Sequence, residues 1–136
     1  MHHTKEKGDL GVLKAQADLH QQGYQILIPL TEHAPFDVVI YKDGKFQRVQ
    51  VKYKSVDKNG KLEIQFRSCW TDKHGTHMRP TDKNSIDLFC VYCPDTDECY
   101  YINPKDYEVS VCLRVKKPKN NQSKFVKNAS DYRRVP

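Results

Sequence analysis

Residues 34–55, APFDVVIYKDGKFQRVQVKYKS, constrain this chain most. Two β-rich runs flank Asp43-Gly44, and a two-residue type I′ loop needs positive φ at both central positions, which Asp-Gly accepts. Such a loop places Lys42 opposite Lys45 and, five pairs further on, brings Asp37 to the level of Gln50. Side chains alternate along a strand, so Lys52 shares a face with Gln50. An acid, an amide and an amine gather on one face of the predicted hairpin. Phe36, Val38, Ile40, Val49 and Val51 fall on the other and read as core. A slip of one residue would destroy both groupings, so a single register satisfies the whole pattern.

The rest of the chain reads as alternating elements around that hairpin. Residues 10–22 carry Leu10, Val12, Leu13, Ala17 and Leu19 near helical spacing, with Asp9 as a predicted N-cap and Gly23 as the stop. Residues 24–30 form an apolar strand. Residues 61–68 alternate, with Leu62, Ile64 and Phe66 inward and Glu63, Gln65 and Arg67 outward. Residues 68–80 are polar and read as an irregular, functional loop. Residues 86–93 and 99–102 make a second hairpin, and residues 104–107 a helical turn. Residues 108–116 form a last strand with Val109, Val111, Leu113 and Val115 inward. A short helix falls near residues 128–132.

A chain of 136 residues forms one domain, residues 1–136, large enough for a real core. Its hydrophobic content of 38% and mean hydropathy of −0.81 describe a soluble, polar protein. No apolar run approaches the roughly 20 residues of a membrane span and the N-terminus lacks a signal-peptide core, so a cytoplasmic protein with no membrane partner is expected. The net charge of +6 is segregated: residues 113–136 carry +7 and residues 42–79 carry +6, while residues 1–41 and 80–112 carry −2 and −5. Segregated positive charge points to a polyanion, and nucleic acid is the usual one. Gln65, Arg67, Trp70, Lys73, His74, His77 and Arg79 suit a duplex groove, where Arg can read guanine. Lys116, Lys117, Lys119, Asn120, Asn121 and Lys124 in the basic tail suit phosphate contact. Neither Cys90-x-x-Cys93 nor His74-x-x-His77 makes a convincing zinc site: the two cysteines point to opposite faces of one strand, and no matching Cys or acid pair accompanies the histidines in the sequence.

Pro35-Phe36-Asp37 followed by Gln50-Val51-Lys52 resembles the PD-(D/E)XK nuclease core, which places a metal-binding Asp on one strand and a (D/E)-X-K tripeptide on the next. One residue separates Pro35 from Asp37, and Gln50 stands where an acid is usual. The resemblance implies an α/β, restriction-endonuclease-like fold, a mixed sheet with flanking helices. It implies Mg²⁺, with Mn²⁺ able to substitute, held by Asp37 beside the Gln50 oxygen or the Val51 carbonyl. Lys52 would orient or deprotonate the attacking water, or stabilise charge on the phosphate. The family's helix acid falls to Asp9, with Glu6 behind it, although Val12 occupies the usual position. The stretches at 8–23, 29–37, 48–53, 86–103 and 120–122 are most similar to homing endonucleases encoded in group I introns. That similarity implies a homotetramer cutting a long, nearly palindromic double-stranded DNA site. A restriction, repair or junction-resolving nuclease of the same fold, or an inactive DNA-binding module, are the competing readings.

Overall fold

The computed structural model describes residues 4–116 and 126–136. Helix α1 (Thr4–Gln21) leads to a short edge strand, β1 (Gln25–Leu27), and then to the hairpin of β2 (Val38–Lys42) and β3 (Lys45–Tyr53). Next come β4 (Lys61–Gln65), β5 (Arg67–Asp72), β6 (Gly75–Pro80), β7 (Leu88–Cys93), β8 (Glu98–Ile102) and β9 (Ser110–Arg114), with 3₁₀ turns at Pro104–Asp106 and Ala129–Tyr132. Asp43 and Gly44 adopt φ of 52° and 82°, the two positive angles that the turn requires. The ladder runs from Val38 opposite Val49 to Lys42 opposite Lys45, which is the register expected from the sequence.

Strand order in the main sheet is β1-β2-β3-β7-β8, and β3 pairs in parallel with β7 while every other neighbour is antiparallel. The sheet is therefore mixed. β4 pairs with β9 and β5 with β6 in two separate ribbons. All six residues of β7 are buried, because both faces of the sheet are covered there. On one face Leu88, Cys90 and Tyr92 pack with Ala15 and Leu19 of α1 and with Val38, Ile40 and Val49. On the other, Phe89, Val91 and Cys93 pack with Leu62, Ile64, Val111 and Leu113 of the β4–β9 ribbon. A single α-helix thus flanks the sheet among the described residues, and the ribbon does the work of a second.

Several local expectations are corrected. Helix α1 begins at Thr4, so Asp9 lies inside it and is no N-cap. The buried line of the helix is Gly11, Ala15 and Leu19, while Leu13 is 62% exposed and Ala17 is also exposed. Small residues let the helix lie close on β3, where a Cβ at Gly11 would sit 3.5 Å from Val51, so apolarity alone misidentified the packed stripe. Phe36 packs with the ribbon-side core and not with Val38, because the chain before β2 has left the ladder. Val109 is 78% exposed, since β9 begins only at Ser110. Residues 68–80 are not irregular: they form most of the β5–β6 hairpin, whose ladder runs from Arg67 opposite Pro80 to Asp72 opposite Gly75. The tail residues Lys117, Lys119, Asn120, Asn121 and Lys124 lie outside the described residues.

The β4–β9 ribbon is tied to the end of the preceding loop at Gly60. Its carbonyl accepts hydrogen bonds from the N–H groups of Val115 and Lys116, at 2.9 and 3.1 Å. Gly60 has φ +80°, and an added Cβ would meet the Cβ of Lys116 at 2.7 Å. Gly60→Ala should destabilise the protein by about 1–3 kcal/mol through backbone strain together with this clash. Gly75→Ala, where φ is +113° but no atom lies within 4 Å of the new Cβ, should lower the melting temperature less. Thermal unfolding of the two variants checks the order.

Candidate active site

Asp37 stands one residue before β2. Its N–H donates to the Val49 carbonyl at 2.9 Å, and its Oδ2 accepts from the Val51 N–H at 2.7 Å. The carboxylate thus satisfies a main-chain donor of β3 at the point where β2 has ended. Partial desolvation of the carboxyl raises its pKa above the ordinary value, and the Val51 N–H lowers it by less. Its other oxygen, Oδ1, has no hydrogen-bond partner among the described residues.

Gln50 and Lys52 project from β3 toward the ribbon side, at the levels of Phe89 and Val91 in β7. The Gln50 Oε1 is buried and has no hydrogen-bond partner among the described residues. A buried amide oxygen without a partner loses its hydration for nothing in return, and such atoms in native proteins mark a missing water or ion. Lys52 Nζ donates to the carbonyls of Gln65 and Arg67, at 2.9 and 3.1 Å, and lies 5.0 Å from the centre of the Phe89 ring. Burial depresses its pKa first, and the positive charges of Lys54 and Arg67 add to the effect. Among the described residues no ion pair joins Asp37 to Lys52. Each carries a charge that the fold itself leaves unneutralised.

A cleft of about 610 Å³ adjoins the Lys52 end of this polar face. Thr4, Lys7 and Gly8 of α1 form one wall, Lys52 and Lys54 the floor, and Glu63, Gln65, Arg67 and Cys69 the other wall. Four cations against one carboxylate suit a phosphodiester backbone. Asp37, Gln50 and Asp9 are not part of the lining. Asp9 is exposed on the helix surface. Lys7, Lys54 and Glu63 were missed as candidates; period-2 spacing from Lys52 and Gln65 was the available signal for the last two, and nothing local marked Lys7.

The donors present suit a hard divalent cation. Asp37 offers a free carboxylate oxygen, Gln50 offers a buried oxygen with no other partner, and the Val51 carbonyl belongs to the intervening residue. No cluster of three His, Cys, Asp or Glu side chains occurs among the described residues. Mg²⁺ keeps several of its waters and often takes only one or two carboxylates, so this sparse set still fits it.

The β5–β6 hairpin distributes the other sequence candidates over two faces. Arg67 lies on one, with Cys69 and Met78, while His77 and Arg79 lie on the opposite one. Lys73 and His74 form its tip, and Trp70 is paired with His77 in the ladder, although its side chain lies outside what the structure describes. His77 Nε2 and the N–H of His74 both contact Asp72 Oδ1, at 3.0 and 2.7 Å. Gln65 and Lys116 lie off the hairpin; Gln65 donates to Glu63 at 3.0 Å.

A sequence model of the PD-(D/E)XK endonuclease family matches residues 2–135. Among solved structures, this fold is similar to that of a bacterial homing endonuclease, I-Ssp6803I, with a TM-score of 0.77 and 22% identity over 97% of this chain and 89% of that one. No curated protein matches the sequence.

The raised pKa of Asp37 has a signed consequence. Its charged form is disfavoured in the fold, so its contribution to stability falls as pH rises from the ordinary carboxylate value through the raised one, and stays unfavourable above. At pH 7 without metal, Asp37→Asn should therefore melt no lower than the parent, because the Asn oxygen can still accept from Val51. Mg²⁺ should raise the melting temperature of the parent and leave that of Asp37→Asn unmoved. Equal shifts in both proteins would remove Asp37 from the metal site.

Proposed function

The chain belongs to the PD-(D/E)XK endonuclease family, and on that premise we propose that it is a Mg²⁺-dependent, site-specific DNA endonuclease of the intron-homing kind. The observation that carries this reading is the Gln50 oxygen, buried without a partner on the strand that also carries Lys52, next to Val51, whose N–H donates to the Asp37 carboxylate. The structural neighbour, described as a homing endonuclease, supports the finer activity. A tetramer engaging a long, nearly palindromic site goes with it. Ile28 and Leu30, which follow edge strand β1 and are 59% and 101% exposed, offer apolar surface for such an assembly.

Hydrolysis of a phosphodiester needs a nucleophilic water, neutralisation of the charge that develops on phosphorus, and help for the leaving oxygen. When bound, a divalent ion supplies charge neutralisation and an acidified water. Asp37, Gln50 and the Val51 carbonyl are the oxygens that would hold it. Lys52 has three N–H donors, of which two are engaged by Gln65 and Arg67, so one remains for a phosphate oxygen or the attacking water. Its depressed pKa makes the amine a better proton acceptor near neutrality than an ordinary lysine. Lys7, Lys54 and Arg67 would steer the backbone of the DNA into the cleft.

Cleavage assays on substitutions at these positions test the reading. Lys52→Ala should abolish cutting while DNA binding survives, since phosphate contacts elsewhere dominate affinity. Gln50→Ala should lose most of the activity, whereas Gln50→Glu should keep part of it and alter metal preference. A Lys52→Ala protein that cuts at the parental rate would discard this site.

Arg67 provides a separate test of sequence reading. It lines the cleft on the exposed face of the hairpin and makes no ion pair among the described residues. Arg67→Ala should relax specificity at one or two base positions, at about 1–3 kcal/mol of discrimination. Binding to a panel of singly substituted targets checks this, and a uniform loss on all of them would assign Arg67 to phosphate instead.

A further inference from the structure

Two lysines distant in sequence meet one aromatic pair. Phe66 and Phe89 stack with centroids 5.2 Å apart and planes 16° apart. Lys52 Nζ lies 5.0 Å from the Phe89 centroid, and Lys83 Nζ lies 5.2 Å from that of Phe66. Each ammonium also donates to two main-chain carbonyls. Lys52 takes those of Gln65 and Arg67, which stand on either side of Phe66. Lys83 takes those of Tyr107 and Glu108, the second at 2.5 Å.

Phe66 therefore meets the Lys52 amine in two ways: its ring supports the ring under the amine, and its neighbours supply both acceptors. The main chain of Phe66 is itself clamped. Its N–H donates to the Val109 carbonyl and its carbonyl accepts from the Thr81 N–H, each at 3.0 Å. Lys83 bridges the same two segments, the one that follows β6 and the one that precedes β9. Loss of its bonds would loosen the clamp on both sides of Phe66 at once.

We propose that Lys83 is a positioning residue, which acts through the Phe66–Phe89 stack to hold the Lys52 amine in its reactive place. The inference rests on Lys52 being the catalytic amine. A lysine has four rotatable bonds and wanders widely when exposed, whereas here two carbonyls and a ring face restrict it. Restriction of this kind raises the fraction of bound complexes in which the amine meets the reacting phosphate.

The test uses the full chain, Mg²⁺ and a duplex obtained by cleavage selection from a randomised pool. Lys83→Met keeps the aliphatic stem over Phe66 and removes the charge and both hydrogen bonds. It should lower the single-turnover rate about 10- to 100-fold while the DNA Kd stays within about threefold. Lys83→Arg should retain most of the rate. In NMR spectra, the Lys52 ε-methylene resonances should move away from their ring-shifted position in Lys83→Met, a change that mere loss of stability would not produce. If Lys83→Met fails to fold, Phe89→Leu replaces it, with the same expected split between rate and binding. A parental rate in whichever variant folds, or a rate loss matched by the loss of binding, would overturn the proposal. An inactive Lys52→Ala beside a fully active Lys83→Met would overturn this inference alone, while a fully active Lys52→Ala would overturn the catalytic assignment and this inference with it.

Discussion

The tight turn at Asp43 and Gly44 holds β2 against β3 in the register that pairs Val38 with Val49, and the whole site depends on that pairing. Once it is set, alternation along β3 sends Val49 and Val51 toward α1 and sends Gln50 and Lys52 toward the ribbon. The same register brings Val51 N–H to the Asp37 carboxylate just where β2 stops. The parallel partner β7 then seals both faces, because its six residues are all buried and alternate between the two cores. A shift by one residue would put Lys52 under the helix and Val51 in the polar face, with a buried ammonium and no acceptor.

The site is costly to the fold. Burial raises the Asp37 pKa and lowers that of Lys52, which means that both charged forms are disfavoured by the fold. Gln50 adds a buried oxygen with no partner. These opposite charges do not pair with one another; main-chain groups relieve part of each penalty, the Val51 N–H at Asp37 and the Gln65 and Arg67 carbonyls at Lys52. A cation at the Asp37 end and a phosphate at the Lys52 end would relieve both, and the donors are already in place when they arrive. This is the arrangement expected of a site that stabilises a reaction better than it stabilises itself.

The proposed recognition hairpin and the proposed catalytic lysine share one corner of the chain. β4 ends at Gln65 and β5 begins at Arg67, so Phe66 lies at the root of the β5–β6 hairpin. The carbonyls on either side of it accept from Lys52, while the Arg67 side chain lines the cleft. On the function proposed above, a hairpin that carries Arg67, His77 and Arg79 and shares its root with the lysine clamp would tie contact with a duplex to placement of the amine. At its tip, Asp72 gathers the His74 N–H and the His77 ring, which braces the turn.

Much of this was legible in the sequence. Asp-Gly between two alternating runs determined the central hairpin, its register and the shared face of Gln50 and Lys52, because a two-residue turn and a period of two leave one solution. The strict alternation of Leu62, Ile64 and Phe66 likewise determined a half-buried strand. Asp9 misled, since capping was inferred from a charge near the start of an apolar stripe while the helix in fact began earlier, at Thr4. The β5–β6 hairpin was hidden because its strands are largely exposed and carry no apolar alternation. Only the tertiary structure decided that Lys52 would be held by carbonyls 13 and 15 residues away, that Lys83 would reach the other ring of the same aromatic stack, and that Lys7 and Arg67 would line one cleft. Those pairings join segments whose local patterns are independent of one another, and they come into being only when the helix and the ribbon close on opposite faces of one sheet.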